Sequence, residues 1–167
     1  MSPGRRRRFA GMRRLPILAS TTLAAGLALA PPAGALVQVD RGIAGARLGN
    51  TRAEVRAALG APRSVQRGRN DFGRFLVYKY RGGITVTFQG RKQVTGVDTT
   101  GLGDRTRQGV GVGSSEADAD ALPGVRCEAI AGARTCHTGT ISAGQRVTLF
   151  DLAAGKVARV TVAVVID

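Results

Sequence analysis

The sequence predicts an α+β fold made of two tandem repeats, each a short helical segment packed on an antiparallel β-sheet. Three observations carry this expectation. A capped, glycine-stopped helix signal in Gly45–Gly60 recurs near residue 109. Strand-like alternation follows each copy, and Gly-containing turns punctuate it at hairpin spacing. Shifting the chain by 64 places Gly45 on Gly109, Thr51 on Ser115, Glu54 on Asp118 and Gly60 on Gly124.

Residues 1–35 read as a secretory signal. Arg5 to Arg8, Arg13 and Arg14 precede an apolar run from Leu15 to Ala30, and Ala33-Gly34-Ala35 supplies an A-x-A cleavage site. Cleavage after Ala35 would leave a chain starting at Leu36 with no membrane span. An uncleaved anchor is the alternative, although the run is shorter than the roughly 20 residues a spanning helix needs. The arginine run fits either the general secretory or the twin-arginine route. The first repeat is expected over 36–104 and the second, degenerate one over 105–167.

In the first repeat, Thr51-Arg-Ala-Glu54 has the capping-box form, so the helix is expected to begin at Thr51. Val55, Ala58 and Leu59 share one face, and Gly60 and Pro62 end the helix. From Phe72 to Asp98 the chain alternates as a sheet does. A three-residue loop at Arg81-Gly82-Gly83 sets Tyr80 against Ile84, Tyr78 against Val86 and Leu76 against Phe88, all on one face. A two-residue turn would instead bury Lys79 and Arg81. The opposite face then presents Phe75, Val77 and Lys79, either to a partner or to the second repeat.

The second repeat keeps the cap chemistry as Ser115-Glu-Ala-Asp118, and two strands joined at Ala154-Gly155 close it. The last strand is apolar enough to lie inside a sheet. If Ala131-Gly132 is a two-residue hairpin turn, Cys127 faces Cys136 at a non-hydrogen-bonded pair, where a disulfide is geometrically plausible. Export favours that disulfide over two free thiols.

Charge separates the halves. Removing 35 of the 167 residues leaves 132, enough for one compact domain. Residues 36–107 carry 14 basic and 5 acidic side chains, whereas 108–167 carry 5 and 6. Such a patch attracts anionic polymers or an acidic protein, and it also serves solubility. Catalytic constellations are missing from the pattern. His137 directly follows Cys136, and strand neighbours point to opposite faces, so the two cannot form a thiolate pair or complete a zinc site. Gly109 to Gly113 lacks the lysine of a phosphate-binding loop. Glu116, Asp118 and Asp120 sit where acids favour a helix dipole rather than calcium. No cofactor, metal or nucleic acid is expected.

The stretch Leu48-Gly-Asn-Thr-Arg-Ala-Glu-Val-Arg-Ala-Ala-Leu-Gly-Ala-Pro62, followed by Tyr78-Lys-Tyr80 and Val86-Thr-Phe88, resembles the signature of the BamE (SmpA/OmlA) domain. That family shares its fold with beta-lactamase inhibitor proteins. The likeness covers about residues 43–98; in the second copy Pro123 stands where Leu59 does. The resemblance implies a small non-catalytic module with a protein-docking sheet surface. The expectation is therefore an exported, monomeric binding module, docking to a protein or an anionic cell-envelope component. Arg69, Arg74, Phe75, Val77 and Lys79 are the candidate surface. The rivals are a cell-envelope enzyme with an unrecognised site and a structural envelope protein without a discrete ligand.

Overall fold

The computed structural model describes residues 34–90 and 92–166. The signal reading of residues 1–35 lies outside the described residues except at Gly34 and Ala35. Three two-residue strands open the domain: β1 (Val37–Gln38), β2 (Gly42–Ile43) and β3 (Ala46–Arg47). Helix α1 (Arg52–Leu59) follows, then β4 (Ser64–Asn70), β5 (Gly73–Lys79), β6 (Ile84–Gln89) and β7 (Gly96–Thr99). After a loop come α2 (Glu116–Asp120), β8 (Val125–Ile130), β9 (Ala133–Thr138), β10 (Arg146–Ala153) and β11 (Lys156–Val164). Strands β1 to β3 form a small sheet; the other eight form one antiparallel sheet in the order β4-β5-β6-β7-β11-β10-β9-β8. The architecture is thus α+β, with few helices and mainly antiparallel sheet.

Local chemistry accounts for the helix ends. In α1 the Thr51 hydroxyl accepts from the Glu54 amide at 3.3 Å, and the Glu54 carboxylate accepts from the Thr51 amide at 2.6 Å. Ser115 and Asp118 repeat the exchange at the start of α2. Gly60 ends α1 with φ of +76°. Of the face expected to be buried, Val55 is fully enclosed and Leu59 is partly so, but Ala58 is exposed. Ala58 faces Gly45, whose missing side chain leaves the alanine methyl open to solvent.

The hairpin registers follow the turns. Tyr80 donates its amide to Ile84 across Arg81–Gly83, and Tyr78 and Leu76 face Val86 and Phe88. Ile130 faces Ala133 and Cys127 faces Cys136, with the disulfide formed and Cα atoms 3.9 Å apart. Strand β11 lies at the centre of the sheet, between β7 and β10.

Two features depart from the sequence expectation. Strand β4 extends the sheet outward over a stretch to which the sequence pattern assigns no element, because Ser64-Val-Gln-Arg-Gly-Arg-Asn70 has one apolar residue and no alternation. It is an edge strand, and edges are commonly charged for that reason. In addition, the β10–β11 ladder slips at Asp151/Leu152, where a bulge takes up one residue of β11.

One face of the large sheet is covered. Leu76, Tyr78, Val86, Phe88, Val97, Phe150, Cys136, Val160 and Val162 all point to it, each at most 3% exposed. Val55, Val37, Ile43 and Ala46 close it above the first strands, and Val110, Val112, Ala119 and Leu122 continue the same core. Aromatic edges add to it: Tyr78 meets Phe88 at 5.0 Å between centroids, and the Arg56 guanidinium sits 5.5 Å over the Tyr78 ring.

Candidate docking surface

Period-two alternation puts Phe75, Val77 and Lys79 on the other face of β5, away from Leu76 and Tyr78. Cross-strand registers extend this face over neighbouring strands. Lys79 lies beside Thr85, Thr85 beside Asp98, Asp98 beside Thr161, Thr161 beside Leu149 and Leu149 beside His137. A second row passes from Val77 through Thr87, Gly96 and Ala163 to Val147. Residues over β5, β6, β7 and β11 on this side are half-buried or exposed. The face closes toward β9 and β10, where His137 and Val147 are at most 1% exposed.

Phe75 owes its position to a glycine. Gly68 faces it across β4, and a Cβ at Gly68 would lie 2.3 Å from the ring. The ring therefore lies over bare backbone, half-exposed, as aromatic residues do when they shield a glycine in a sheet. Arg69 and Arg74 face each other at the open end of the same hairpin, and their parity is that of Leu76. They are exposed, yet they stand on the helix side of the sheet, so the structure does not bring them together with Phe75, Val77 and Lys79.

Carboxylates that the sequence did not single out complete this face. Asp98 is pushed above the ordinary aspartate range, chiefly by burial on the sheet and further by Asp151. Arg159, the Thr85 hydroxyl and Lys79 pull in the opposite direction. Arg159 directly faces Asp151 across β10 and β11. The only available signal was an acid in an otherwise apolar and hydroxyl-bearing strand, Gly96-Val-Asp-Thr99.

Ion pairing is uneven. Among the described residues, pairs occur only in the second half: Arg134 with Glu116 at 2.5 Å, Arg126 with Glu128 at 3.9 Å and His137 with Glu128 at 2.6 Å. Three acids of the first half are committed elsewhere. Glu54 caps α1, which lowers its pKa through the Thr51 amide and hydroxyl. Asp40 accepts from the Thr138 and Thr148 hydroxyls at 2.5 and 2.9 Å. Asp104 accepts from the Thr99 hydroxyl. No carboxylate is within ion-pair distance of the described arginines and lysines of residues 36–107; Arg56 sits over Tyr78 and Arg105 donates to Val112, and the others are exposed to solvent or a partner.

His137 has a carboxylate neighbour but no access to solvent. Its Nε2 is 2.6 Å from Glu128 and its Nδ1 is 3.3 Å from the Thr138 carbonyl oxygen. The ring ties β8 to β9 on the side opposite the disulfide. Glu116 lies near Cys127 and Cys136, but the disulfide withholds both sulfurs from metal ligation.

No family model matches the chain, and no curated protein matches it. Two solved structures overlap it in part. An extracellular protein containing a SCP domain from Bacillus anthracis aligns at 10% identity with a TM-score of 0.47, over 70% of this chain and 43% of that one. The chain thus spans less than half of that protein. The uncharacterized protein yfeY from Escherichia coli aligns at 13% identity with a TM-score of 0.46, over 74% and 97%. Overlaps of this extent assign neither family nor activity. Among the described residues, no helix is long and apolar enough to cross a membrane.

Proposed function

We propose that this chain is an exported, monomeric, non-catalytic binding module of BamE-like build, docking through its uncovered sheet face to a protein or an anionic component of the cell envelope. The observation that carries the reading is the pairing of an open face bearing Phe75, Val77 and Lys79 with a basic first half whose described cations have no carboxylate within ion-pair distance. Unpaired cations attract an anionic partner over several ångströms, and the adjacent apolar residues add contact area once it docks. The disulfide supports an oxidising compartment, as an exported protein would meet.

Duplication of one helix-plus-sheet unit is part of the proposal. Its support is the topology: strands β4 to β7 follow one capped helix, strands β8 to β11 follow the other, and the last strand of each set meets at the β7–β11 seam. Arg69 and Arg74 then flank the surface from the far side of the β4–β5 hairpin rather than forming its floor.

The test is capture from native envelope extracts by the purified protein, compared with Phe75→Ala/Lys79→Glu. The double variant should lose the captured partner while keeping the wild-type melting temperature. Undiminished capture by the folded variant removes this face from consideration.

A further inference from the structure

Asp104 is a nearly buried carboxylate, 6% exposed. Its oxygens accept from the Thr99 hydroxyl and, at 2.7 Å, from the backbone amide of Ala35. Among the described residues no lysine or arginine lies within ion-pair distance of it. The adjacent Arg105 is turned away, donating to the Val112 carbonyl at 2.6 Å. A buried charge ordinarily requires a counter-charge, and neutral donors meet that requirement only in part.

The amide that Asp104 holds belongs to the residue just before the expected cleavage point. Around it the chain is built into the fold. Leu36 bridges Arg105 in parallel, Arg105 donates to the Ala35 carbonyl at 3.1 Å, and Val37 donates back to Arg105 at 2.8 Å. Gly34 lies so close to Gly103 that a Cβ there would come within 1.8 Å of its carbonyl oxygen. Hydrolysis of the Ala35–Leu36 bond consumes one water; the Ala35 carboxylate departs with the leader, and Leu36 acquires an α-amine that is protonated at neutral pH. Consecutive residues of an extended chain are about 3.3 Å apart, so the new amine starts one residue from a site already engaged by backbone nitrogen. The Val37–Arg105 bond, and the bond from Ala44 to the Leu36 carbonyl at 3.1 Å, survive the cut and anchor the carbonyl side of Leu36, leaving its amine free to swing toward Asp104.

We propose that Asp104 is the receptor for the processed amino terminus, in which the Leu36 α-ammonium replaces the Ala35 amide and supplies the missing counter-charge. The inference rests on the export reading, but not on what the open face binds. The cut must precede closure of the Leu36–Arg105 bridge, since the scissile bond lies inside that pairing.

The experiment compares the chain beginning at Leu36, released from a fusion by a specific protease, with the same chain retaining Gly34-Ala35. A pair raises the folded pKa of the amine above its unfolded value of about 8, so the added stability is complete below that pH and is lost as pH rises through the folded value. The Leu36 chain should lose several degrees of melting temperature relative to the Gly34-Ala35 chain between about pH 8 and 10. Titration of the isotope-labelled Leu36 amine by NMR should show a midpoint at least about one unit above 8, and Asp104→Asn should abolish that rise. Parallel melting curves together with an unshifted amine would overturn the proposal. If Asp104→Asn does not fold, the amine titration of the unaltered chain decides alone. Mass spectrometry of the secreted protein checks the cleavage separately: a terminus other than Leu36 refutes the cleavage reading and the proposal with it, whereas a Leu36 terminus with an unshifted amine refutes the receptor alone.

Discussion

Breaking the Cys127–Cys136 disulfide should destabilise the domain by about 2.7 kcal/mol. The bridge spans nine residues of separation, and closing a loop of about ten residues removes that much free energy from the unfolded chain at 25 °C. With an unfolding entropy of about 2.1 cal/mol/K per residue, the loss is about 10 °C in melting temperature for a domain of this length. Cys127→Ala/Cys136→Ala is the suitable variant, because Cys136 is fully buried and a serine there would add an unpaired hydroxyl. Urea unfolding of the oxidised, reduced and double-alanine proteins measures the difference, with native-state hydrogen exchange alongside. A difference below about 1 kcal/mol would refute the reasoning, showing that the Ala131-Gly132 turn already fixes the hairpin in the unfolded chain. So would fast exchange confined to β8 with the global transition unmoved, since the edge strand would then detach alone.

Two further outcomes follow from the same structure. Asp98→Asn should stabilise the domain at neutral pH, because a folded carboxyl held above its ordinary pKa by burial loses stability as pH rises through its unfolded and then its folded value. The gap between variant and parent should therefore shrink as pH falls toward the unfolded value, which urea melts across pH 3 to 7 would show; a pH-independent gap contradicts it. Ala154 adopts φ of +50° in the Ala154-Gly155 turn, where asparagine is favoured, so Ala154→Asn should raise stability by about 0.5–1 kcal/mol in thermal melts.

What could be read from the chain alone was the chemistry of neighbours. Thr51 with Glu54, Ser115 with Asp118, and the turns at Arg81–Gly83, Ala131-Gly132 and Ala154-Gly155 involve residues within a few positions of one another; those features reappear in the structure, the first two turns with the expected registers. Strand β4 was illegible because an exposed edge needs no alternating pattern. Strands β1 to β3 are two residues each and exist because Ile43 and Ala46 are pressed into the core, a cause that no local pattern records. The polar networks were hidden for the same reason: Asp40 meets Thr138 and Thr148 across 98 and 108 residues, and Ala35 meets Asp104 across 69. At the candidate surface, Phe75, Val77 and Lys79 share a face because they alternate on one strand. Arg69 and Arg74 were grouped with them by nearness along the chain, whereas parity across the β4–β5 register separates them.

Among the described residues the large sheet ends at two margins, β4 and β8. Each margin is defended. On β4, Arg67 and Arg69 stand exposed on either side of Gly68; on β8, Arg126 and Glu128 do so around the crosslinked cysteine. A ninth strand arriving at either margin would have to strip water from those side chains and, at β4, bring its own charges against two like ones. Growth of the sheet by accretion, the route from an open-ended β structure to fibres, is thereby opposed at both ends while the face over β5, β6, β7 and β11 stays accessible.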